Sequence, residues 1–239
     1  MSDDLFHAGR GFPFDHISPS FVNKFLRCPL AALYYKEGRP MVWDPRYAEV
    51  GKYTHSILER EYRPDVRAYI PEGGMDDMMR KRHDAAMLGY RRLIKAEPRF
   101  RPKAGIHHPE VRIRSEISGV PLVGIIDLLT TQGTQVYIDD WKTGTPRAED
   151  DRQMLIYTMM VSETLGIPPR SIVSTLDYLR AKTLGGVQKR VPYTGTKAIR
   201  QDITASVIEP IADLDFHPRR GAHCERCEYR HACEAWGGG

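Results

Sequence analysis

GIIDLLTTQGTQVYIDDWKTG, residues 124–144, decides the fold. Val120 to Thr130 is apolar and branched, Gln135 to Trp141 is a second short strand pattern, and Gly133 punctuates the two as a turn. Asp127 is the single acid embedded in the first strand, and the second runs straight into Asp140-Trp141-Lys142. Residues two apart on a strand share a face, so Asp140 and Lys142 point into one space while Trp141 faces the opposite layer. Two neighbouring strands can then bring Asp127 to the same place. A carboxylate among apolar neighbours is costly unless it is paired or ligated. Two carboxylates on a rigid sheet edge can seat a hard divalent cation, which polarises a phosphodiester and lowers the pKa of a bound water. Lys142 would hold that water or stabilise charge growing on the phosphate.

Working outward, Ser18-Pro19-Ser20 precedes Phe21, Phe25, Leu26 and Leu30 at helical spacing, so a helix starts near Ser18. Further helices are expected from about Val50 to Tyr62 and from about Met75 to Ile94. After Pro98 the texture changes: Glu110 to Ile117 alternates, and Gly119 marks a turn. Asp151 to Leu165 returns to helical spacing, and Ser171 to Leu179 is a strand. A Gly185-Gly186 turn, a strand from Val187 to Tyr193 and a helix from Lys197 to Leu214, ended by Pro218, complete the order. Helices, three strands, a helix, two strands, a helix and a tail give an α/β fold, a sheet flanked by helices.

At 239 residues, 41% of them hydrophobic, the chain can build its own core, and it carries neither repeats nor a low-complexity linker. A net charge of +4 permits a nucleic-acid partner without requiring one. The opening MSDDLFHAGRGF lacks a basic start followed by an apolar run, and nowhere do about 18 uninterrupted apolar residues occur. A soluble, cytoplasmic protein with no membrane partner is therefore expected. In a reducing compartment, few and clustered cysteines point to metal rather than to disulfides. Cys224, Cys227 and Cys233 crowd into HCERCEYRHAC, and Cys28 is the only other cysteine. Four thiolates can hold zinc or a four-iron four-sulfur cluster, and His223 or His231 could replace one of them at a zinc.

GIIDLL, YIDDWKTG and then RQMLIYTMM resemble, in type and order, the successive motifs of the RecB-like branch of the PD-(D/E)XK nuclease superfamily. The resemblance implies a mixed sheet flanked by helices, as in restriction endonucleases, and a metal-dependent DNA exonuclease. It implies that Asp127, Asp140 and the backbone carbonyl of Trp141 bind Mn²⁺ or Mg²⁺ and that Lys142 is catalytic. Gln153 and Tyr157 match the family's Gln-x-x-x-Tyr motif, thought to contact DNA and order the site, and their spacing puts both on one helix face. VGKYTHSILE resembles the Gly-x-x-x-His motif, which makes His55 a further metal ligand, and imidazole suits Mn²⁺ better than Mg²⁺. An acidic residue ahead of the metal aspartate is often found in the family, and Glu110 or Glu116 could supply it.

The lone Cys28 with a tight downstream triplet is similar to the iron–sulfur nucleases of the AddB and CRISPR-associated RecB-like exonuclease group. That likeness implies a four-iron four-sulfur cluster on Cys28, Cys224, Cys227 and Cys233, stapling the first helix to the chain's end. Three regions follow: residues 1–100, helical and carrying Cys28 and His55; residues 101–200, the nuclease core; and residues 201–239, the last helix and the cysteine segment. No phosphate loop of a motor domain is present. DNA is the expected partner, with Lys24, Arg80, Lys81, Arg82, Arg91 and Arg92 as candidate phosphate contacts. A protein partner in a DNA-processing or adaptation complex is a second expectation, and a DNA-binding subunit with secondary nuclease activity or a zinc-ribbon regulator are the rival readings.

Overall fold

The computed structural model describes residues 12–42, 44–101, 105–147, 149–180, 187–193 and 195–236. The expected Gly185-Gly186 turn and the opening residues 1–11 lie outside the described residues. The order of elements follows the sequence pattern. Helices α1 (Pro19–Arg27), α2 (Pro29–Lys36), α3 (Arg46–Tyr62) and α4 (Asp77–Ala96) precede strands β1 (Ile106–Ile117), β2 (Val120–Gln132) and β3 (Gln135–Lys142). Helix α5 (Asp150–Leu165), β4 (Ile172–Tyr178), β5 (Val187–Arg190), α6 (Thr196–Ile203) and α7 (Glu209–Ala212) follow.

Two helical runs differ from expectation, each because of a proline. The Ser18 hydroxyl accepts a bond from Phe21 N at 3.1 Å and starts α1 as expected. The apolar run then breaks at Cys28, whose backbone is extended (φ −160°, ψ 111°), because Pro29 disfavours helical geometry in the residue before it. Cys28 therefore sits between two helices rather than inside one. Near the other end, Thr204–Ile208 widens into a π turn just ahead of Pro210, which has no N–H to continue the ladder. That run ends at Leu214, in the left-handed region at φ 58°, before Pro218 is reached.

The five strands form one mixed sheet in the order β1-β2-β3-β4-β5. Ser118 and Gly119 turn the chain from β1 to β2 with φ of 50° and 77°, as a two-residue hairpin turn requires. β2 and β3 pair antiparallel with Leu128 opposite Asp139, and β4 and β5 pair antiparallel with Thr175 opposite Arg190. β3 and β4 pair parallel, with Asp140 opposite Leu176 and Lys142 opposite Tyr178. A parallel pair needs a crossover, and α5 supplies it.

The chain divides into two compact units. The first takes the described parts of 1–44, 114–124 and 194–239, and the second those of 45–113 and 125–193. The three consecutive regions expected from the sequence cut across this division. Cys28 and His55 fall in different units, and Cys28 shares its unit with the other three cysteines. In the first unit, Phe21, Val22 and Phe25 are buried, as are Ile199, Ile203, Val207 and Ile211. Ile17 N donates to Pro121 O and Val123 N to Ile17 O, both at 2.9 Å.

In the second unit Trp141 centres a cluster with Leu58 of α3, Ala86, Tyr90 and Leu93 of α4, and Leu128 and Leu179. Gly89 lets α4 approach closely, since a Cβ there would lie 1.8 Å from Leu179 O. Met154, Ile156, Met159, Met160 and Val161 of α5 are also fully buried. Among the described residues no helix is long and apolar enough to cross a membrane.

Candidate active site

The alternation of β3 sorts its two adjacent aspartates. Asp139 is fully buried and held in the fork of Arg99, with Nη1 and Nη2 donating to its two oxygens at 2.6 and 2.8 Å. Asp140, only 4% exposed, takes the Lys142 ammonium at 2.6 Å on Oδ2. Trp141 lies buried with the aromatic layer, its ring stacked on Tyr62 at 6.3 Å between centroids. Lys142 and Asp140 are therefore neighbours, as two-residue spacing requires.

Gln153, on α5, ties these groups together. Its Nε2 donates to Asp140 Oδ1 at 3.1 Å and to the Tyr157 hydroxyl at 3.2 Å, while its Oε1 accepts from Lys142 Nζ at 3.0 Å. Tyr157, four residues on and so on the same helix face, donates its hydroxyl to Ile125 O at 2.6 Å. Asp127, two residues from that carbonyl, accepts from Trp141 N on Oδ2 at 2.7 Å. Its other oxygen lies 3.3 Å from His55 Nδ1, brought in by α3.

Glu110 completes the cluster: one ligand atom each of His55, Glu110 and Asp127 lie within 4.8 Å of one another. Its backbone is left-handed at φ 50°, a conformation of order 1–3 kcal/mol unfavourable for a non-glycine residue. Of the two acids left open by the sequence, Glu110 is the one that meets His55 and Asp127 in a group that could hold a metal ion. Glu116 belongs to the other unit, where its carbonyl accepts from Arg200 at 2.8 Å. Trp141 contributes its N–H to Asp127.

The electrostatics are those of a crowded acidic site. Burial pushes the Glu110 carboxyl up to about 7, and the negative charge of Asp127 adds to the effect. Burial likewise raises Asp140, to about 6, the repulsion from Asp127 outweighing part of what Lys142 gives back. Burial alone would lower His55, but Asp127 beside it, together with Asp140 and Glu110, pushes it up to about 9. Burial opposes the charge of Lys142 too, yet Asp140 and Asp127 raise its pKa, so the amine stays an ammonium. Asp127 is the carboxyl held low: burial acts against its charge, and His55 and Lys142 overcome it.

An open cleft of about 510 Å³ reaches the cluster and is lined by Gly51, Lys52, His55, Ser56, Glu59, Tyr69, Glu110, Ile125 and Asp127. Lys52, Ser56, Glu59 and Tyr69 escaped the sequence reading. Glu59 could have been found, because it sits one helical turn after His55. Tyr69 could not, since it lies in the irregular segment after α3 and is tied back to that helix only through tertiary contacts, its N–H donating to Ser56 at 3.0 Å and its hydroxyl to Glu49. Of the candidate phosphate contacts, Lys24 is committed to Glu228 and Arg80 to Asp77.

In the first unit, Cys28, Cys224, Cys227 and Cys233 line one cavity together with His223 and Arg219. Cys28 is buried and packs with Ala31, Tyr34 and Tyr229, against which Cys227 rests. Tyr229 N donates to Cys227 Sγ at 3.5 Å, and burial pushes that thiol's pKa up. His223 contacts Arg219 O at 3.0 Å through Nε2, and His231 lines a separate groove with Val42 and Trp236.

The sequence profile of the PD-(D/E)XK nuclease superfamily matches residues 16–234. Gene 69 protein of Mycobacterium phage D29 is 30% identical over 129 residues, which make up 52% of this chain and 46% of that protein. The chain thus matches about half the length of this curated relative. Among solved structures, a protein of Eubacterium rectale provisionally named an exonuclease is similar in fold, with a TM-score of 0.60 and 15% identity over 92% of this chain and 88% of that one. The structure of SSO0001 is similar with a TM-score of 0.50 and 16% identity over 97% of this chain and 90% of that one.

Proposed function

The chain belongs to the PD-(D/E)XK nuclease superfamily, and on that premise we propose that it is a metal-dependent deoxyribonuclease of the RecB-like branch, an exonuclease on single-stranded DNA or frayed ends. The observation that carries the reading is the meeting of His55, Glu110 and Asp127 within 4.8 Å, beside the Asp140–Lys142 pair. One imidazole and two carboxylates, a donor set of nitrogen and oxygen, fit a divalent ion, with Mn²⁺ favoured over Mg²⁺ by the imidazole. Asp140 would join them from the adjacent strand. When bound, such an ion polarises the phosphodiester and acidifies a water.

The remaining work falls to the chain. Hydrolysis adds a water oxygen to phosphorus and breaks one P–O ester bond, so negative charge grows on the phosphoryl oxygens and on the leaving oxygen. Lys142, kept as an ammonium, orients the attacking water and stabilises that charge rather than accepting a proton. Gln153 fixes Lys142 and Asp140 through its two amide ends, and Tyr157 fixes Gln153. A site held by such a supporting layer is in place before substrate arrives.

We assign Cys28, Cys224, Cys227 and Cys233 to a four-iron four-sulfur cluster. A lone upstream cysteine and a tight downstream triplet lining one cavity favour this cluster over a structural zinc site, which more often uses two close cysteine pairs.

The test is purified protein with Mn²⁺ or Mg²⁺ on end-labelled single- and double-stranded DNA. Asp140→Ala and Lys142→Ala are each expected to cut at least about 10³-fold more slowly, a loss of about 4 kcal/mol of transition-state stabilisation. Variants that cut as fast as the parent would defeat the assignment. Iron and acid-labile sulfide in the isolated protein support the cluster, and stoichiometric zinc would replace it.

A further inference from the structure

Beside the metal cleft, in the same unit, two guanidiniums lie together without a carboxylate. Arg82 of α4 stacks over the Tyr47 ring at 4.5 Å to its centroid, and its Nε is buried with no acceptor. Arg180, just past β4, donates from Nη1 to Thr143 O at 3.0 Å, and its Nε is also buried with no acceptor. Ala86, one turn along α4 from Arg82, packs in one cluster with Leu179, the chain neighbour of Arg180, which brings the two guanidiniums to the same side; burial, and after it the positive charge of Arg82, lowers the pKa of Arg180. Elsewhere in this unit Arg99 is matched by Asp139 and Lys142 by Asp140. Among the described residues neither Arg82 nor Arg180 has such a partner.

Two like charges side by side and partly removed from water are unfavourable until an anion joins them. Guanidinium forks match phosphate oxygens two bonds at a time, and spare N–H donors are what such an anion would take up. Tyr47 keeps 46% of its surface exposed, enough for a base to stack on a ring already carrying a guanidinium.

The position also fits. Thr143, whose carbonyl holds Arg180, follows Lys142 in the chain, and Leu179 N donates to Lys142 O at 3.0 Å. Gly51 lines the metal cleft, and a Cβ on it would lie 3.5 Å from Thr143 Oγ1. The arginine pair and the cleft thus share the edge formed by Gly51 and Thr143.

We propose that Arg82 and Arg180 clamp a backbone phosphate of the DNA strand next to the one being cut, with Tyr47 supporting the adjoining base; this rests on the nuclease reading above. The clamp adds a substrate contact that none of the superfamily's motif residues in this chain provides.

Binding is read by fluorescence anisotropy on single-stranded DNA without divalent metal, so that no cutting interferes. Arg82→Ala and Arg180→Ala are each expected to weaken binding about tenfold and to lower the slope of log affinity against log salt by about one. In cleavage, KM rises while kcat at saturation is nearly kept. Since a variant could fold poorly, a second arm uses the unmodified protein and DNA with a single uncharged methylphosphonate linkage moved along the strand. One position near the cut should weaken binding by the same factor, and the Arg82→Ala, Arg180→Ala double variant should be insensitive to it. Arginine variants that bind with unchanged affinity and salt slope, or a neutral linkage that costs both proteins equally, would overturn the clamp. If the clamp signatures hold while the parent protein cuts no DNA, the nuclease reading fails and the phosphate site stands.

Discussion

On one face of β3 the Asp139 carboxylate lies fully buried in the fork of Arg99; on the other, one residue along, Asp140 lies almost as buried against Lys142 and Gln153. The residue type and depth are alike, and the surroundings differ. Behind Asp139 stand Trp141, Tyr90, Leu93 and Phe100, a closed layer in which a guanidinium supplies both hydrogen bonds. Asp140 instead faces a cluster where His55, Asp127 and Glu110 meet at an open cleft; burial disfavours its ionised form, and the charge of Asp127 adds to that while Lys142 opposes it. The pair teaches that burial alone does not single out a candidate catalytic carboxylate; a crowd of like charge reachable from solvent does more to distinguish one.

Breaking the closed face should give the largest change in stability. Arg99→Ala leaves a buried carboxylate without its partner, so chemical denaturation is expected to show a loss of about 3–5 kcal/mol, whereas replacing both partners with apolar residues should recover most of it. Mn²⁺ affinity of the protein that remains folded should be unchanged. A change in affinity as large as that of an Asp127→Asn variant would erase the distinction between the faces.

A smaller effect is expected at Gly89, behind the same layer. Alanine would gain up to about 1 kcal/mol of helix propensity, but its Cβ would stand 1.8 Å from the Leu179 carbonyl, and the displacement costs about 1–3 kcal/mol. Gly89→Ala should therefore lower the melting temperature. An increase would show that α4 yields more easily than the packed layer suggests.

The open face is sharpened by pH. With His55 pushed up to about 9 and Glu110 to about 7, both hold protons at and below neutrality, and an ion must displace them. Affinity for Mn²⁺ should thus rise with pH from 6 to 8, by about tenfold per unit for the His55 proton throughout and by a further contribution from the Glu110 proton that fades above about pH 7. Calorimetry in buffers of different ionisation enthalpy should find proton release on binding. A flat profile with no released proton would mean that these side chains do not ligate the ion.

Much of this was legible beforehand because it depends on period. Two-residue spacing put Asp140 beside Lys142, four-residue spacing put Gln153 and Tyr157 on one face of α5, and Ser18 announced the start of α1. What escaped was set by contacts between distant residues. Arg99 reads as one charge among many until it is found opposite Asp139, 40 positions away. Tyr69 and Arg180 sit in or beside turns, where no periodicity marks a side chain's direction. The choice of Glu110 over Glu116 turned on which of them meets His55 and Asp127, a convergence that no alternation pattern encodes.

Local spacing thus determined, by itself, the α/β order, the two aspartates and lysine on neighbouring strands, and the clustering of three cysteines. Only the tertiary structure decided that Glu110 meets His55 and Asp127, that Asp139 is locked away by Arg99, and that Cys28 meets the other thiols in one cavity. Backbone geometry repeats every few residues and can be read along the chain. Charge pairing and ligand convergence depend on which distant segments pack together.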